Sequence, residues 1–270
     1  MKNIGFIGVG YMGYGIAKNI LKHKNKLFVI ANKNRKPIEK IVSEGAEEVK
    51  SFEDFANKSL DALFMCVTNT PIAKSISEKI SKILNSKTLI IDITTHNKTG
   101  SIETETIFKK NKIKYIECPV MGGPVQAEEG VLGGIVGASD ENFKSAETYL
   151  NFFCKEYFHF GPVGMGAKSK LLNNFLSLGN AALVNHLAKS AKSMGLDLKK
   201  VYDVAKLGSG NSAALNRVFD NLLKGDFTGF KFTASNSVKD LTYIQDLLKD
   251  FPEAEKVAEV NKNYFQKAVD

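Results

Sequence analysis

A glycine-rich segment near the amino terminus has the spacing of a phosphate-binding loop. Its pattern, G-x-G-x-x-G, lies between the apolar run 3–7 and the run 14–21, which has helical spacing. In that context the first glycine permits a tight turn, the second lets the backbone approach a pyrophosphate, and the third lets the helix pack on the strand. The amides and the positive dipole end of the helix attract the phosphates. The sequence therefore predicts a dinucleotide-binding loop, which consists of Gly8, Val9, Gly10, Tyr11, Met12 and Gly13.

The residues after the second predicted strand indicate which dinucleotide this loop would hold. A fold that prefers NAD places Asp or Glu about 20 residues beyond the glycines, where the carboxylate binds the ribose 2′-hydroxyl. Asn32, Lys33 and Arg35 occupy this region instead. A carboxylate would repel a 2′-phosphate, whereas the two cationic side chains would attract one. We therefore predict that the chain prefers NADP, with NAD as the alternative cofactor.

Lys170 and Asn174 are a second set of residues that could do chemistry. They lie four residues apart in a long run with helical spacing that begins near Gly166, so they share one helix face. A lysine in a dry cleft can give a proton to the alkoxide that hydride transfer creates, or remove it in reverse, because burial lowers its pKa. Lys168 is a poorer candidate, since its helical neighbour is Leu172. Taken alone, such a pair is more typical of a solvated helix face.

Apolar runs alternate with helical runs in the first part of the chain, which predicts βαβ units and a mainly parallel sheet. The predicted strands are residues 3–7, 26–31, 62–67, 89–93, 114–117 and 133–137. Helical spacing occurs between them at residues 74–84 and 141–153. We therefore expect an α/β domain with a Rossmann-type parallel sheet over residues 1–162.

The pattern changes after Gly161, where apolar residues recur at steps of three and four. The long helix predicted from near Gly166 ends at Gly195, because glycine suits the left-handed position after a helix. Shorter helices are predicted at residues 199–206, 212–224 and 235–249 and from Pro252 onward. We expect an all-α domain over residues 163–270 that begins with this interdomain helix. Since the long helix is more apolar than its own domain would cover, we also expect a homodimer or homotetramer.

The composition is that of an ordinary globular protein, with 43% apolar and 24% charged residues among 270. It excludes collagen-like, wholly disordered and disulfide-rich chains. The three cysteines form no C-x-x-C and the four histidines no H-x-x-x-H, which argues against a metal site. No run reaches the roughly 18 apolar residues of a membrane span, and the first residues do not form a signal peptide. We therefore expect a cytoplasmic protein without metal or membrane contact.

The net charge of +8 is concentrated in one stretch of the chain. Of the 37 basic residues, 35 are lysine, and residues 18–40 alone carry an excess of seven positive charges. Proteins that read nucleic acids usually rely on arginine forks and aromatic side chains, so we expect no nucleic-acid partner. The stretch is either a solvated face or a source of attraction for an anionic ligand.

Five motifs occur in the same order as in the β-hydroxyacid dehydrogenase family, which includes 3-hydroxyisobutyrate dehydrogenase and the tartronate and succinic semialdehyde reductases. The chain resembles this family over essentially its full length. Residues 5–13 match the opening motif, residues 91–95 resemble its Asp-x-Ser-Thr segment, and residues 117–123 resemble its Asp-x-Pro-Val-Ser-Gly-Gly segment. The catalytic stretch is similar to residues 161–174, and the late Lys-Asp-Leu motif to residues 239–241.

The resemblance implies an enzyme that transfers a hydride between a nicotinamide cofactor and a small β-hydroxyacid or its semialdehyde. It makes Lys170 the general acid or base, and it makes Asn174 the residue that orients the lysine or the substrate. The amides of Gly122 and Gly123 would hold a substrate carboxylate. The chain departs from the family at Met121, where a serine usually stands. Because a thioether donates no hydrogen bond, Met121 either receives a longer or less polar substrate or simply packs beside the loop.

The resemblance adds further residues to the cofactor and substrate sites. Lys239 would approach the cofactor or the substrate carboxylate at the carboxyl edge of the sheet. The aromatic residue that the family places before this lysine is either Phe230 or Phe232. The other residues assigned to the cofactor are Val67, Thr68 and Thr95.

Three alternative functions stay open at this point. An imine reductase is one, because Met121 leaves the identity of the electrophile open. A 6-phosphogluconate dehydrogenase-like enzyme is another, although that family has a histidine where this chain has Asn173. The third is a non-catalytic NADP-binding module that recognises a partner through its lysine-rich face, but such a module would have no use for the pair Lys170 and Asn174.

Overall fold

The chain divides into two units, Met1–Lys170 and Leu171–Asp270. Five of the predicted strands lie in one sheet of the first unit. The computed structural model describes residues 1–226 and 232–270. The strands of this sheet are β1 (Asn3–Ile7), β2 (Lys26–Ile30), β3 (Glu47–Val49), β4 (Ala62–Met65), β5 (Leu89–Asp92) and β6 (Lys114–Glu117). They are all parallel, in the order β3-β2-β1-β4-β5-β6, which confirms the predicted Rossmann-type α/β fold.

Apolar side chains cover both faces of this sheet. Along β4, Phe64 belongs to one apolar cluster, whereas its neighbours Leu63 and Met65 belong to another. A strand that is buried on both faces is apolar along its whole length, and this explains why the strands are visible as continuous apolar runs. The helices of this unit are α1 (Tyr11–Lys22), α2 (Lys36–Ser43), α3 (Thr70–Ile80), α4 (Gly100–Lys109), α5 (Pro124–Glu129) and α6 (Asp140–Leu150), and α7 (Met165–Ser193) begins in it.

The start of α3 differs from the prediction of a helix over residues 74–84. Asn69 caps the helix, since its side chain accepts a hydrogen bond from the Ile72 N–H at 3.0 Å. Pro71 occupies the first turn, where its missing N–H costs no hydrogen bond. Capping and proline therefore start the helix four residues before its apolar spacing becomes visible.

The order of the strands creates a crevice between β1 and β4. The chain runs outward from β1 through β2 to β3 on one side and then continues from β4 through β5 to β6 on the other. In an open parallel sheet, ligands bind outside the carboxyl ends of the strands at the point where the order reverses. This topology therefore determines which loops can form a site.

A smaller sheet lies beside the main one and was only partly predicted. It contains β7 (Val120–Met121), β8 (Leu132–Val136) and β9 (Cys154–His159), with β7 antiparallel and β9 parallel to β8. A bridge between Glu117 and Gly137 links the two sheets. The apolar run predicted at residues 133–137 is β8, whereas the short β7 and the charged β9 carry no strand pattern in sequence. Their pairing with β8 makes them strands.

The second unit is all-helical in its described part, as predicted. It contains the rest of α7, followed by α8 (Leu198–Leu207), α9 (Ala213–Leu222), α10 (Ala234–Leu247) and α11 (Pro252–Gln266). Gly195 has a φ of +72° just after α7, which is the left-handed conformation expected of the residue that ends this helix. The two units divide after Lys170, inside α7, and the domain boundary at residues 162–163 stays a prediction. Phe230 lies outside the described residues.

Among the residues that the structure describes, we find no helix whose length and apolar character would allow it to span a membrane.

Candidate active site

The three glycines of the predicted phosphate loop have three different environments. Gly8 has a φ of +99°, and a Cβ there would collide with the carbonyl oxygen of Cys66. A Cβ on Gly13 would collide with the carbonyl oxygen of Gly8. Gly10, in contrast, has nothing within 4 Å of the place that its Cβ would occupy. The first and third glycines are therefore needed for the fold of the loop, whereas the second leaves open space that a ligand could fill.

This open space lies at the start of α1. Gly10 is the residue that precedes the helix, and neither a side-chain cap nor an acidic residue occupies the first turn in the described structure. The amides of this turn are therefore able to receive an anion. Val9 is buried and Met12 packs against the core, whereas Tyr11 is 89% exposed. The loop is thus anchored from one side and open on the other.

The loops that follow β4 and β5 lie beside the phosphate loop. Val67 donates its backbone N–H to the Thr94 hydroxyl at 3.2 Å, and its side chain lies near the Cβ position of Gly8. These contacts place the predicted cofactor residues Val67, Thr68 and Thr95 at the same carboxyl edge as the glycines. Thr68 is exposed and Thr95 is half-buried.

A buried polar network supports the loop after β5. The carboxylate of Asp92 accepts a hydrogen bond from the Thr94 N–H at 2.9 Å and one from the Tyr115 hydroxyl at 3.0 Å. The oxygen that accepts from Tyr115, Oδ2, also lies 2.9 Å from His96 Nε2, and the His96 side chain is fully buried. Burial, together with the charge of Asp92, raises the pKa of the Tyr115 hydroxyl. Tyr115 therefore stays a neutral donor and holds the loop that contains Thr94 in place.

Two of the three residues predicted to select NADP, Asn32 and Arg35, line a surface pocket at the end of β2. The pocket is lined by Ile30, Ala31, Asn32, Arg35, Glu48, Val49 and Lys50. Asn32 and Lys33 are both exposed. The guanidinium of Arg35 forms a two-pronged ion pair with the carboxylate of Glu48, at 3.0 and 2.9 Å. Sequence spacing did not reveal this carboxylate, because Glu48 arrives on the neighbouring strand β3.

Lys170 lies against the predicted substrate loop. Its Nζ donates a hydrogen bond to the carbonyl oxygen of Val120 at 2.8 Å and contacts the sulfur of Met121 at 3.4 Å. The side chain that replaces the serine of similar proteins is therefore in direct contact with the candidate catalytic amine. Both residues belong to the unit that contains the phosphate loop.

The two glycines of the substrate loop are not equivalent. Gly122 has a φ of +112°, and a Cβ there would come within 2.8 Å of Leu132. The N–H of Gly123 already donates to the side-chain oxygen of Gln126 at 2.9 Å, at the start of α5. A substrate carboxylate would have to compete with Gln126 for this donor, which the sequence did not indicate.

Glu117, which had no predicted role, connects the substrate loop to the helix that carries Lys170. Its side chain is fully buried at the end of β6, and Oε1 accepts the backbone N–H groups of Gly164 at 2.6 Å and Gly166 at 2.9 Å. Its other oxygen, Oε2, has no well-formed hydrogen bond among the described residues. Burial raises the pKa of this carboxyl, although hydrogen bonds from the backbone oppose the rise. The Glu117 carboxyl group therefore holds the backbone at the start of α7 in place, although its burial removes it from water and this costs free energy.

We expect a Glu117→Gln variant to gain stability relative to the wild type as the pH rises. Because the folded-state pKa is raised above its ordinary value of 4.5, the folded protein binds this proton more tightly than the unfolded chain does. The carboxyl's contribution to stability is therefore lost as the pH rises above about 4.5. Glutamine removes the titration and keeps an oxygen acceptor for both N–H groups. Thermal unfolding from about pH 4 to about pH 8 measures the difference.

The exposed Glu129 provides the control for this measurement. Its replacement by glutamine removes the same charge without removing a buried carboxyl group, so the variant should follow the wild type across the pH range. A stability difference between Glu117→Gln and the wild type that does not vary with pH would contradict the raised pKa.

The second unit contains its own polar cluster, built on Asn174, Lys239 and Asp240. The side-chain amide of Asn174 donates to Asp240 at 2.7 Å, and Lys239 Nζ lies 3.0 Å from the other oxygen of the same carboxylate. Asn174 and Asp240 are both buried. Asp240 had no predicted role, although the Lys-Asp-Leu motif drew attention to it. The amide that was expected to orient Lys170 or the substrate is thus held by a carboxylate, which fixes its direction.

No group of three or more His, Cys, Asp or Glu side chains in the described part of the chain could hold a metal ion.

Two family models together match almost the whole chain. One, described as the NAD binding domain of 6-phosphogluconate dehydrogenase, matches residues 3–161. The other, described as the NAD-binding of NADP-dependent 3-hydroxyisobutyrate dehydrogenase, matches residues 164–270. The two matches correspond to the α/β part and the helical part of the structure.

Individual proteins are similar over most of their length. A 2-(hydroxymethyl)glutarate dehydrogenase of Eubacterium barkeri is 27% identical over 230 residues, which are 84% of this chain and 76% of that protein. A probable mitochondrial 3-hydroxyisobutyrate dehydrogenase of Dictyostelium discoideum is 29% identical over 211 residues, or 77% of this chain and 65% of that one. The structure of Mycobacterium tuberculosis 3-hydroxyisobutyrate dehydrogenase with L-serine is similar to this one, with a TM-score of 0.89 at 19% identity. The match covers 100% of this chain and 94% of the mycobacterial chain. This last likeness supports the fold.

Proposed function

The chain belongs to the β-hydroxyacid dehydrogenase family, and on that basis we propose that it transfers a hydride between NADP and a small β-hydroxyacid or its semialdehyde. The observation that carries the proposal is the contact of Lys170 Nζ with Val120 and Met121. We take this amine to be the proton donor, and it contacts the predicted substrate loop in the unit that also contains the predicted dinucleotide loop. The match of residues 164–270 to a 3-hydroxyisobutyrate dehydrogenase model favours a hydroxyacid over 6-phosphogluconate.

The residues of the dinucleotide loop fit the cofactor. The open space at Gly10 and the uncapped first turn of α1 would receive the pyrophosphate. Val67, Thr68 and Thr95 lie along the same edge and would line the path toward the nicotinamide. When bound, the cofactor supplies or accepts the hydride.

Lys170 acts as the general acid and base in this proposal. The ammonium gives its proton to the substrate oxygen as the carbonyl is reduced, and the amine takes it back when a hydroxyacid is oxidised. Val120 accepts a hydrogen bond from the same nitrogen, which fixes where the proton is presented. The N–H groups of Gly122 and Gly123 bind the substrate carboxylate, the latter by displacing Gln126.

Asn174 and Lys239 keep in this proposal the roles that the resemblance implies, namely to orient the lysine or the substrate and to approach the cofactor or the substrate carboxylate. Asp240 holds the Asn174 amide through its Nδ2, so the amide is already oriented before a ligand arrives. Lys239 offers a positive charge for a carboxylate or for the cofactor. The ion pair with Asp240 keeps that charge close to Asn174.

Preference for NADP is part of the same proposal. The end of β2 carries Asn32 in place of an acidic residue, and the cations Lys33 and Arg35 follow it. Both cations would attract a 2′-phosphate.

A panel of small carbonyl compounds tests the proposed function. We expect oxidation of NADPH, followed by its absorbance, with short semialdehydes and other small aldehydes. Turnover only with imines would identify an imine reductase, and turnover only with 6-phosphogluconate and NADP would identify the rival dehydrogenase. Tight binding of NADPH without turnover of any compound would instead favour a non-catalytic binding module.

The same panel with a Met121→Ser variant tests the specificity of the substrate loop. Serine would restore a hydroxyl donor beside Lys170, so we expect the ratio of kcat/KM for short polar semialdehydes to that for longer aldehydes to rise by about tenfold, the worth of one hydrogen bond. An unchanged profile would show that Met121 only packs beside the loop.

We also propose that α7 mediates assembly into a homodimer or homotetramer. Four leucines on this helix recur at steps of four, seven and four residues, which places them on one face. Each is between 39% and 68% exposed, and they are Leu172, Leu176, Leu183 and Leu187. Covering such a face by a second copy would remove apolar surface from water. A strictly monomeric species in analytical ultracentrifugation would contradict this assembly.

A further inference from the structure

The pocket at the end of β2 is lined by the carboxylate of Glu48, which was not considered when NADP preference was predicted from Asn32, Lys33 and Arg35. In a dinucleotide fold this position receives the ribose of the adenosine. Glu48 lies on β3, and the strand register pairs it with Val29 of β2. It therefore lines the pocket together with Arg35, although the two residues are 13 apart in sequence.

The ion pair between Arg35 and Glu48 uses the edge of the guanidinium whose N–H donors could also bind a phosphate. Both terminal nitrogens of Arg35 are engaged, each with one oxygen of Glu48, at 3.0 and 2.9 Å. The remaining nitrogen, Nε, is 3.5 Å from a second carboxylate, that of Glu39. Such two-pronged geometry is also how arginine binds phosphate. A 2′-phosphate and the Glu48 carboxylate would therefore compete for the same donors.

The charge of the pocket follows from these contacts. Arg35 lowers the pKa of the Glu48 carboxyl, so this group is ionised at neutral pH. Lys50 also lines the pocket and Glu39 also contacts the guanidinium, so the four side chains Arg35, Lys50, Glu39 and Glu48 together carry no net formal charge. Arg35 is 53% exposed and Glu48 is 28% exposed, so solvent screens the pair and the guanidinium can exchange partners. The pocket therefore attracts a 2′-phosphate less strongly than Lys33 and Arg35 would without Glu48.

We propose that Glu48 is a specificity-determining residue that lowers the preference for NADP over NAD by competing with the 2′-phosphate for Arg35. The inference rests on the proposed function insofar as the glycine loop must bind a dinucleotide. Binding of NADP requires Arg35 to leave Glu48, or else places the phosphate beside a carboxylate. Binding of NAD requires neither. Glu48 therefore weakens NADP selectively.

Dissociation constants of NADPH and NADH, measured through nucleotide fluorescence on the full-length protein, test this proposal. In Glu48→Gln we expect NADPH to bind about fivefold more tightly, because a competing, partly screened ion pair contributes up to about 1 kcal/mol. The affinity for NADH should change by less than about twofold. Thermal unfolding of the variant verifies that the fold is intact.

Glu47→Gln is the matched control. It removes the same charge from the adjacent residue, whose carboxylate pairs with Lys58 and does not line the pocket at Arg35. Long-range electrostatics alone would give both variants the same effect on NADPH. We expect Glu47→Gln to change neither affinity by more than about twofold.

A double-mutant cycle with Arg35→Ala shows whether Glu48 acts through Arg35. If it does, adding Glu48→Gln to Arg35→Ala leaves the affinity for NADPH unchanged. An equal gain in Glu47→Gln, or a gain that persists without Arg35, would overturn the role of Glu48. A wild-type protein that prefers NAD would refute the predicted NADP preference, yet a shift toward NADPH in Glu48→Gln would still support Glu48. Binding of neither nucleotide would overturn both proposals.

Discussion

Replacement of Lys170 with alanine should lower turnover by about 10²–10⁴-fold, the usual contribution of a general acid or base. The alanine variant leaves no group at Val120 that can give a proton to the developing alkoxide. Because Lys170 contacts Val120 and Met121 in the predicted substrate loop, the affinity for NADPH should stay within about threefold of the wild type. Steady-state turnover at saturating NADPH and nucleotide titration separate these two effects.

Two variants make this test specific. Lys168→Ala removes the same charge from the same helix, two residues earlier, and should keep turnover within about threefold of the wild type. Lys170→Arg keeps a positive charge, but a guanidinium does not release its proton at neutral pH, so it should be nearly as slow as the alanine variant. Full activity in Lys170→Arg would show that charge alone is needed, and near-normal turnover in Lys170→Ala would exclude the proposed role.

Replacement of Gly10 with alanine should weaken binding of NADPH and NADH alike by about 10²-fold without destabilising the protein. A methyl group at this position meets no atom within 4 Å, so the fold tolerates it. It would instead occupy the space through which the pyrophosphate approaches the amides of α1. Loss of one or two hydrogen bonds to a charged phosphate costs about 1.5–3 kcal/mol each, and 1.4 kcal/mol corresponds to a tenfold change in affinity.

Gly208 is a closely matched control for this substitution. It too has nothing within 4 Å of its Cβ position, and its φ and ψ of −118° and −167° resemble the −104° and −154° of Gly10. Gly208→Ala should therefore leave both stability and nucleotide affinity unchanged. Gly13→Ala should differ from both, because its methyl group would collide with Gly8 and destabilise the loop itself. Wild-type affinity in Gly10→Ala would rule out this loop as the pyrophosphate site.

Local patterns in the sequence were sufficient to predict the glycine loop and the long helix α7, but not the short strands β3 and β7. The glycine loop lies between β1 and α1 as predicted, because a buried strand and an amphipathic helix each have a period that neighbouring residues define. Gly195 marks the end of α7 for a similar reason, since its positive φ is a local property of one residue. The short strand β3, in contrast, contains two glutamates among three residues and has no local signal.

The contacts that give the site its chemistry were decided by the tertiary structure. Glu48 meets Arg35 because β3 pairs with β2, and Glu117 meets Gly164 across 47 residues of chain. Asp240 reaches Asn174 across 66 residues, although both belong to motifs that the sequence displays. Residue type and spacing reveal which groups are able to act, because those are properties of one segment. Which carboxylate faces which amide or cation depends on how distant segments pack, and only the folded chain brings those segments together.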